Sequence, residues 1–313
     1  MLRVQGATET TDDYVEVTFE RPGSWPGDFG QTTMAGVLIG DEVRGPSLTF
    51  AWQGPEAMSY GAPSHAHASD NFRISLLGSF EMGRESYGPG EFRIQQGWKP
   101  YPSDNASHGP EGGWEILLMA DRRGTRARFV GASLPNLDEI HAQISRTFGL
   151  AGDLLSDDPA AGSGPSALAT TLGPPANSGK LNGSFADRDT WAPLGPATRA
   201  AVALMGDPVC GPVLLLAATE PAGVAMPACR FDTEVFRGVV SGSCEIDGRR
   251  YGKGQMRVQR AGSPCGPVIA GPDGVCEVVI VADRRAAAPV TSDASWAAAL
   301  GATLRDLQHR LAA

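Results

Sequence analysis

The feature that most constrains this chain is that it contains itself twice. Residues 72–95 read FRISLLGSFEMGRESYGPGEFRIQ, and residues 236–259 read FRGVVSGSCEIDGRRYGKGQMRVQ. At an offset of 164 the two stretches share Phe72/Phe236, Arg73/Arg237, Gly78/Gly242, Glu81/Glu245, Tyr87/Tyr251, Gly90/Gly254 and Gln95/Gln259. Upstream, IGDEVRGP (39–46) answers MGDPVCGP (205–212); downstream, ILLMADRR (116–123) answers VVIVADRR (278–285). The offset drifts by only two residues at either end, as loop insertions and deletions would make it. A repeat with a period this long duplicates a whole domain rather than a solenoid unit. A length of 313 residues accommodates two such domains.

Each copy reads as short strands. Tyr14–Glu20 alternates, and Ser47–Trp52, Phe72–Leu77, Glu91–Gln95 and Glu115–Ala120 are apolar-rich runs bounded by Gly or Pro. With 40 Gly and 24 Pro, close-spaced strands joined by tight turns point to a β-sandwich or jelly-roll barrel. One helical pattern closes each copy: 134–149, with Leu137, Ile140, Ile144 and Phe148 on one face, and 295–311. The predicted organisation is an N-terminal barrel over 1–150, a linker over 151–185 and a C-terminal barrel over 186–313. The linker rests on a Pro/Gly/Ala/Ser-rich stretch, 156–180, too poor in apolar residues to order itself.

Composition narrows the function classes. A net charge of −9 gives no global pull toward nucleic acid or anionic membrane, and no run reaches the roughly 18 apolar residues of a membrane span. The first residues lack the basic-then-apolar pattern of a signal peptide. Five cysteines, an odd number and all beyond residue 200, predict reduced thiols in a cytoplasmic protein. There is no Walker loop, dinucleotide fingerprint, Cys-x-x-Cys or nucleophile elbow.

Three of the five histidines, His65, His67 and His108, fall in the strand region of the first copy. On an extended segment His65 and His67 point to one face, about 6–7 Å apart along the backbone, a spacing suited to two positions on one metal ion. His-x-His before a strand, Gly78 closing it, and Tyr-x-Pro-Gly-Glu opening the next resemble the cupin superfamily. In its first motif, Gly-x5-His-x-His-x3-4-Glu-x6-Gly, His65, His67 and Gly78 fit, and Asn71 stands where Glu is usual. In its second, Gly90-Glu91 matches the opening Gly-Asp, and Tyr101 occupies roughly the usual His position.

The resemblance implies an all-β fold of duplicated cupin barrels (the double-stranded β-helix or jelly roll), each with a C-terminal helix. It also implies one divalent metal ion, with Fe(II) favoured and Mn, Ni, Cu or Zn as alternatives. His65 and His67 are the implied metal ligands. Asp70 is the preferred carboxylate, although alternation from His67 sends it to the opposite strand face unless a bulge intervenes. Asn71, Tyr101 and His108 are the other candidates for the remaining positions. Tyr101 or Lys99 would stabilise a developing anion, with His108 as a third catalytic candidate; Trp98, Asn71 and Gln95 would contact substrate. At the same offset the second copy has Cys229 for His65, Phe231 for His67, Val235 for Asn71 and Cys265 for Tyr101, so no such ion can be held there. Residues shared by both copies, among them Arg73, Gln95 and Asp121-Arg122-Arg123, are expected to serve the fold.

The implied activity is a mononuclear metal enzyme acting on a small organic molecule, first an Fe(II)/O2-dependent dioxygenase. A redox-neutral lyase, isomerase or cyclase is the alternative, and a non-catalytic small-ligand binder or sensor the third reading. Neither nucleic acid nor membrane is an expected partner, and a homodimer is compatible with the resemblance.

Overall fold

The computed structural model describes residues 1–20, 23, 25, 27–28, 32–55, 64–102, 112–125, 127–130 and 167–312. The predicted helix at 134–149, His108 and the linker's 151–166 portion lie outside them. Among the described residues the chain is almost entirely β, with one long helix, Ala294–Ala312, at its C-terminus. No helix of the described residues is long and apolar enough to cross a membrane.

Two large antiparallel sheets carry the architecture. The first runs, strand by neighbouring strand, Arg3–Val4, Thr32–Leu38, Ser47–Gln53, Gly113–Met119, Asn71–Leu77, Glu91–Gln95 and Lys180–Ser184. The second runs Ala169–Thr170, Thr198–Leu204, Val213–Thr219, Val268–Val281, Val235–Ile246, Gln255–Gln259, Tyr14–Thr18 and Glu9–Thr10. Each list ends with a strand from the other half of the sequence. Tyr14–Thr18 pairs with Gln255–Gln259 in the second sheet, and Lys180–Ser184 pairs with Glu91–Gln95 in the first. The two copies have exchanged equivalent strands. Ala169–Thr170 and Lys180–Ser184 are therefore sheet strands within the stretch that composition read as linker.

The shared tyrosines fasten this exchange. The Tyr87 hydroxyl lies 2.9 Å from Asn182 Oδ1 on the incoming strand, and Tyr251 bonds Glu16 on the reciprocal one. A second symmetric pair joins the barrels. Asp70 Oδ2 accepts from the Gly206 amide at 2.7 Å, while Glu234 Oε2 accepts from the Gly40 amide at 3.1 Å.

Period-2 alternation gives each sheet two faces. Leu48, Phe50, Phe72, Ile74, Phe92, Ile94, Ile116 and Leu118 of the first sheet pack against Leu214, Leu216, Phe236, Met256, Val258, Val278 and Ile280 of the second. Phe50 stacks on Phe236 with ring centroids 5.6 Å apart. One dry core thus lies between the two barrels, and each sheet's other face looks into its own barrel.

The two motifs flanking the repeat prove to be one device. Arg122 is fully buried; its guanidinium donates to the carbonyls of Gly45 (2.9 Å), Ile39 (2.6 Å), Glu42 (3.2 Å) and Pro46 (3.3 Å). Arg284 repeats this on Gly211, Met205 and Pro208. The approach requires glycine, because a Cβ on Gly45 would sit 2.2 Å from the Ile39 carbonyl oxygen. Asp121 and Asp283 accept from the Arg123 and Arg285 amides and start a 3-10 turn after each sheet strand.

Candidate metal and ligand site

His65–His67 forms a short strand against Ala127–Phe129, with His65 opposite Phe129 and His67 opposite Ala127. On its other side His65 exchanges both backbone hydrogen bonds with Tyr101, at 3.1 and 2.9 Å. The two imidazoles lie side by side with ring centroids 5.3 Å apart and planes at 86°, and the Tyr101 ring packs 4.4 Å from His65. His67 Nδ1 is 2.9 Å from the Thr125 carbonyl oxygen. A carbonyl only accepts, so the proton sits on Nδ1 and Nε2 keeps its lone pair, the tautomer a metal ligand needs. Thr125 follows the turn started by Asp121, so the Arg122 loop device also aims a histidine in this copy.

Desolvation holds the His67 imidazole neutral, helped by the neighbouring His65, and together they lower its pKa to about 3. The unfolded chain takes up that proton near pH 6.5, so it binds more protons than the folded state between about pH 6.5 and 3. Stability of the metal-free protein is expected to fall as pH drops through that window, by about 1–2 kcal/mol at pH 5 from this group. Urea midpoints at pH 7 and pH 5 measure it, and His67→Phe, the residue type of the second copy, should flatten that part of the slope.

Alternating inward residues differ between the two sheets. Across the first sheet one row reads Gly36, Thr49, Leu117, Arg73, Arg93 and Asn182, where the second sheet has Val202, Leu215, Val279, Arg237, Arg257 and Glu16. In the adjoining row, Ser47, Met119 and Asn71 answer Val213, Val281 and Val235. Thr49, Leu117, Met119 and Arg73 are only half-buried, whereas Leu215, Val279, Val281 and Arg237 are buried. The second barrel is filled by its own apolar core, which runs from Leu204 and Val213 to Cys229, Phe231 and Cys265. The space left at its Cys229–Cys265 end is about 20 Å³, enough for about one water. Burial pushes the Cys229 thiol up to about 12, so it is an inert core residue rather than a nucleophile. Among the described residues the inward rows of the first barrel are more polar and less buried than those of the second, which is packed shut.

Several sequence-predicted site residues do other work. Asp70 is fully buried, and its carboxylate accepts from the Gly97 amide (2.8 Å) and the Gly206 amide, so it is a barrel-to-barrel latch and not the metal's carboxylate. Gln95 is spent at both ends: Oε1 accepts from Arg93, and Nε2 donates to the Lys99 and Ser178 carbonyls. Gln259 makes the same bonds to Arg257 and the Pro264 carbonyl, which identifies a scaffold pair rather than a substrate contact. Trp98 adopts φ 62°, where the second copy has Gly262 at φ 76°. Its ring lies 4.8 Å from Arg128, a residue opposite Ala66 and so on the strand face turned away from the imidazoles. Trp98 therefore does not line the histidine face. Lys99 is exposed, its stem running over Gly179. Tyr101 remains beside the histidines, buried against Phe80, Met82 and Tyr87, and Asn71 lies on the inner face of its strand.

Sequence reasoning missed Thr125, Phe129 and the inward-facing Thr49 and Ser75. Comparing Thr49 with Leu215 and Ser75 with Val239 would have found the last two, since each is polar only in the first copy. Among the described residues no three His, Cys, Asp or Glu side chains converge on a point that could hold a metal. The donor chemistry fits a divalent cation at two positions, His65 and His67. A separate groove of about 390 Å³ between Arg188 and Cys276 has a rim of mixed sign and shares no residue with this pair.

No family model matches the chain, and comparison with curated proteins finds no match. Solved structures do match. A Nostoc punctiforme protein, described provisionally as a dioxygenase, aligns over 93% of this chain and 90% of its own at 14% identity and a TM-score of 0.53. A Pseudomonas aeruginosa protein, described provisionally as glyoxylate-induced, aligns over 88% and 90% at 11% identity and a TM-score of 0.50. A variant of Bacillus subtilis oxalate decarboxylase aligns over 91% and 81% at 14% identity and a TM-score of 0.44. Identities this low speak for the fold alone. The chain is a pair of jelly-roll barrels joined by a shared core, and the Nostoc and Pseudomonas proteins share that fold over most of their length.

Proposed function

We propose that the chain is a mononuclear metal-dependent enzyme whose single active centre lies in the first barrel. One contrast carries this reading. Paired imidazoles, one with its Nε2 lone pair fixed by the Thr125 carbonyl, lie in the barrel whose inward rows are more polar and less buried, while the equivalent positions of the second barrel are Cys229 and Phe231 in a filled core. The second barrel then serves as scaffold: it supplies the Lys180–Ser184 strand and the far side of the shared core.

In this reading His65 and His67 hold the ion, and Tyr101 fixes the His65 ring by packing on it. Tyr101 and His108 are the candidates to complete the site and to meet a developing anion. When bound, the ion supplies a Lewis acid and, as Fe(II), electrons for O2. The protein's part is to hold an organic substrate inside the barrel and orient it against the histidine pair. A dioxygenase using Fe(II) and O2, working in the cytoplasm, is the leading form. A redox-neutral lyase, isomerase or cyclase would use the same geometry, because neutral nitrogen donors also suit Zn or Mn.

Oxygen consumption distinguishes these. Protein loaded anaerobically with Fe(II) and then given air with a panel of small hydroxy-acids, diketones and catechols is expected to take up O2 with at least one of them. No uptake with Fe(II), alongside turnover by Zn- or Mn-loaded protein, would favour the redox-neutral form. Protein that retains neither ion would contradict the enzyme reading and leave a small-ligand binder.

A further inference from the structure

The duplication built two equivalent seams where the barrels meet, and only one is filled by its own side chains. At the first, the Trp114 ring stacks on Phe19 with centroids 5.3 Å apart and planes at 12°, and Trp52 stands opposite it on the neighbouring strand. The indole covers Gly254 so closely that a Cβ there would meet its Cζ3 at 2.7 Å. At the second, Phe185 and Trp191 repeat Phe19 and Trp25: ring centroids are 5.1 Å apart in both pairs, with planes at 63° and 66°. The register puts Cys276 opposite Ala218 where the first seam has Trp114 opposite Trp52, and Ser241 beside Cys276 where it has Leu77 beside Trp114. A Cβ on Gly90, the counterpart of Gly254, would have only the Phe185 Cβ within 4 Å, at 3.8 Å. Two indoles and a leucine of the first seam thus answer to a methyl, a thiol and a hydroxyl. Between these small groups runs the groove of about 390 Å³, lined by Ala218, Ser241 and Cys276.

We propose that this groove binds a free aromatic amino acid, its ring seated against Ala218 and Cys276 and its charged end held at the rim. The volume is that of a small-molecule site. A flat ring suits positions whose counterparts in the other copy are indoles, and it buries a large apolar area with little loss of rotamer freedom. The rim supplies both signs of charge. Arg188 and Arg199 each donate to one backbone carbonyl, that of Phe185 at 3.2 Å and that of Trp191 at 3.0 Å, and among the described residues neither pairs with a carboxylate. Their remaining N–H donors match a ligand carboxylate. Asp189, Glu220 and Asp273, exposed on the same rim, supply the charge that an ammonium group needs. A plain anion would meet three carboxylates against two guanidinium groups, so a zwitterion is the better match. The groove shares no residue with the histidine pair, and its ligand is independent of the metal reading.

Calorimetric titration of the full chain with L-tryptophan, L-tyrosine and L-phenylalanine tests this. L-alanine serves as the zwitterion without a ring, and the decarboxylated amine of the best binder as the ring without a carboxylate. At least one aromatic amino acid is expected to bind with a Kd below about 1 mM, and both controls about tenfold or more weakly. Cys276→Trp, which restores the residue of the first seam, should abolish binding, with folding checked by circular dichroism and thermal melting. Arg188→Gln/Arg199→Gln changes two exposed side chains and should weaken binding about tenfold or more, whether or not Cys276→Trp folds. His65→Ala/His67→Ala should leave binding unchanged even as its metal is lost. Absence of binding by all three aromatic amino acids overturns the assignment, as does full affinity in the arginine variant or in folded Cys276→Trp. Alanine binding as tightly as the aromatic amino acids overturns it too. Binding lost with the histidines would put the ligand in the first barrel and overturn it equally.

Discussion

Divided after residue 150 and expressed as separate pieces, this chain is expected to yield two halves that do not fold, and a native complex when the halves are made together. The reason is the strand exchange. The first piece carries Tyr14–Thr18, whose pairing partner Gln255–Gln259 is in the second; the second carries Lys180–Ser184, whose partner Glu91–Gln95 is in the first. Each isolated half would leave one strand without a sheet and one sheet edge unpaired, an invitation to aggregate. The larger loss is the core between the barrels. Phe50, Phe72, Ile74, Phe92, Ile116 and Leu118, all essentially inaccessible in the intact chain, would face water in the first half. At about 2 kcal/mol for each buried side chain, that loss is of the order of a whole domain's net stability, about 5–15 kcal/mol. Circular dichroism and size-exclusion chromatography of each half, then of the co-expressed pair, measure this. A monomeric half that melts cooperatively would contradict the interlocked architecture.

Replacing Arg122 by Met is expected to cost about 3–5 kcal/mol, the range for removing one partner from a buried, hydrogen-bonded charge network. Burial lowers the Arg122 pKa to about 10, which still leaves the guanidinium charged at neutral pH. It is the donor for four carbonyl groups of the 39–46 loop, and no water replaces it at zero exposure. Lysine would not rescue the loop, because one ammonium cannot span acceptors that a guanidinium reaches with three nitrogens. Arg123, its neighbour, is partly exposed and bonds mainly to the buried Asp121 carboxylate, which keeps its backbone bond, so Arg123→Met should cost about 1–3 kcal/mol, less than Arg122→Met. Urea denaturation of the two variants gives the comparison directly. An Arg122→Met protein within about 1 kcal/mol of the wild type would show that the loop does not depend on this clamp.

What the sequence made legible follows from what is local or repeated. The strand at Glu91–Gln95 is read to the residue, and Tyr14–Glu20 runs only two residues beyond its observed end, because alternation and flanking glycines are local signals. The destination of Tyr14–Thr18 is not local. Its alternation says that it is a strand but not which sheet edge receives it, and that depends on residues some 240 positions away. Asp70 was misread for a related reason. Asp70 and Glu234 differ in type, and only the Gly206 and Gly40 amides reveal both acids making the same latch. The resemblance implies Trp98 as a substrate contact. The backbone turn there, built on glycine in the other copy, carries its ring to the outer face. The polarity of the first barrel's inward rows was legible in principle, since polar residues in the first copy answer valines and leucines in the second, but only once register assigned them to those rows.

The central claim is that one barrel is the working one and the other its filled counterpart. Metal content per chain tests it most directly, by elemental analysis of wild type, His65→Ala/His67→Ala and Cys229→Ser/Cys265→Ser after exposure to Fe(II), Mn(II) and Zn(II) and removal of excess. The account predicts about one equivalent in the wild type, the same in the cysteine variant, and a loss of at least tenfold in the histidine variant with folding intact. Two equivalents, or metal that follows the cysteines instead of the histidines, would contradict it.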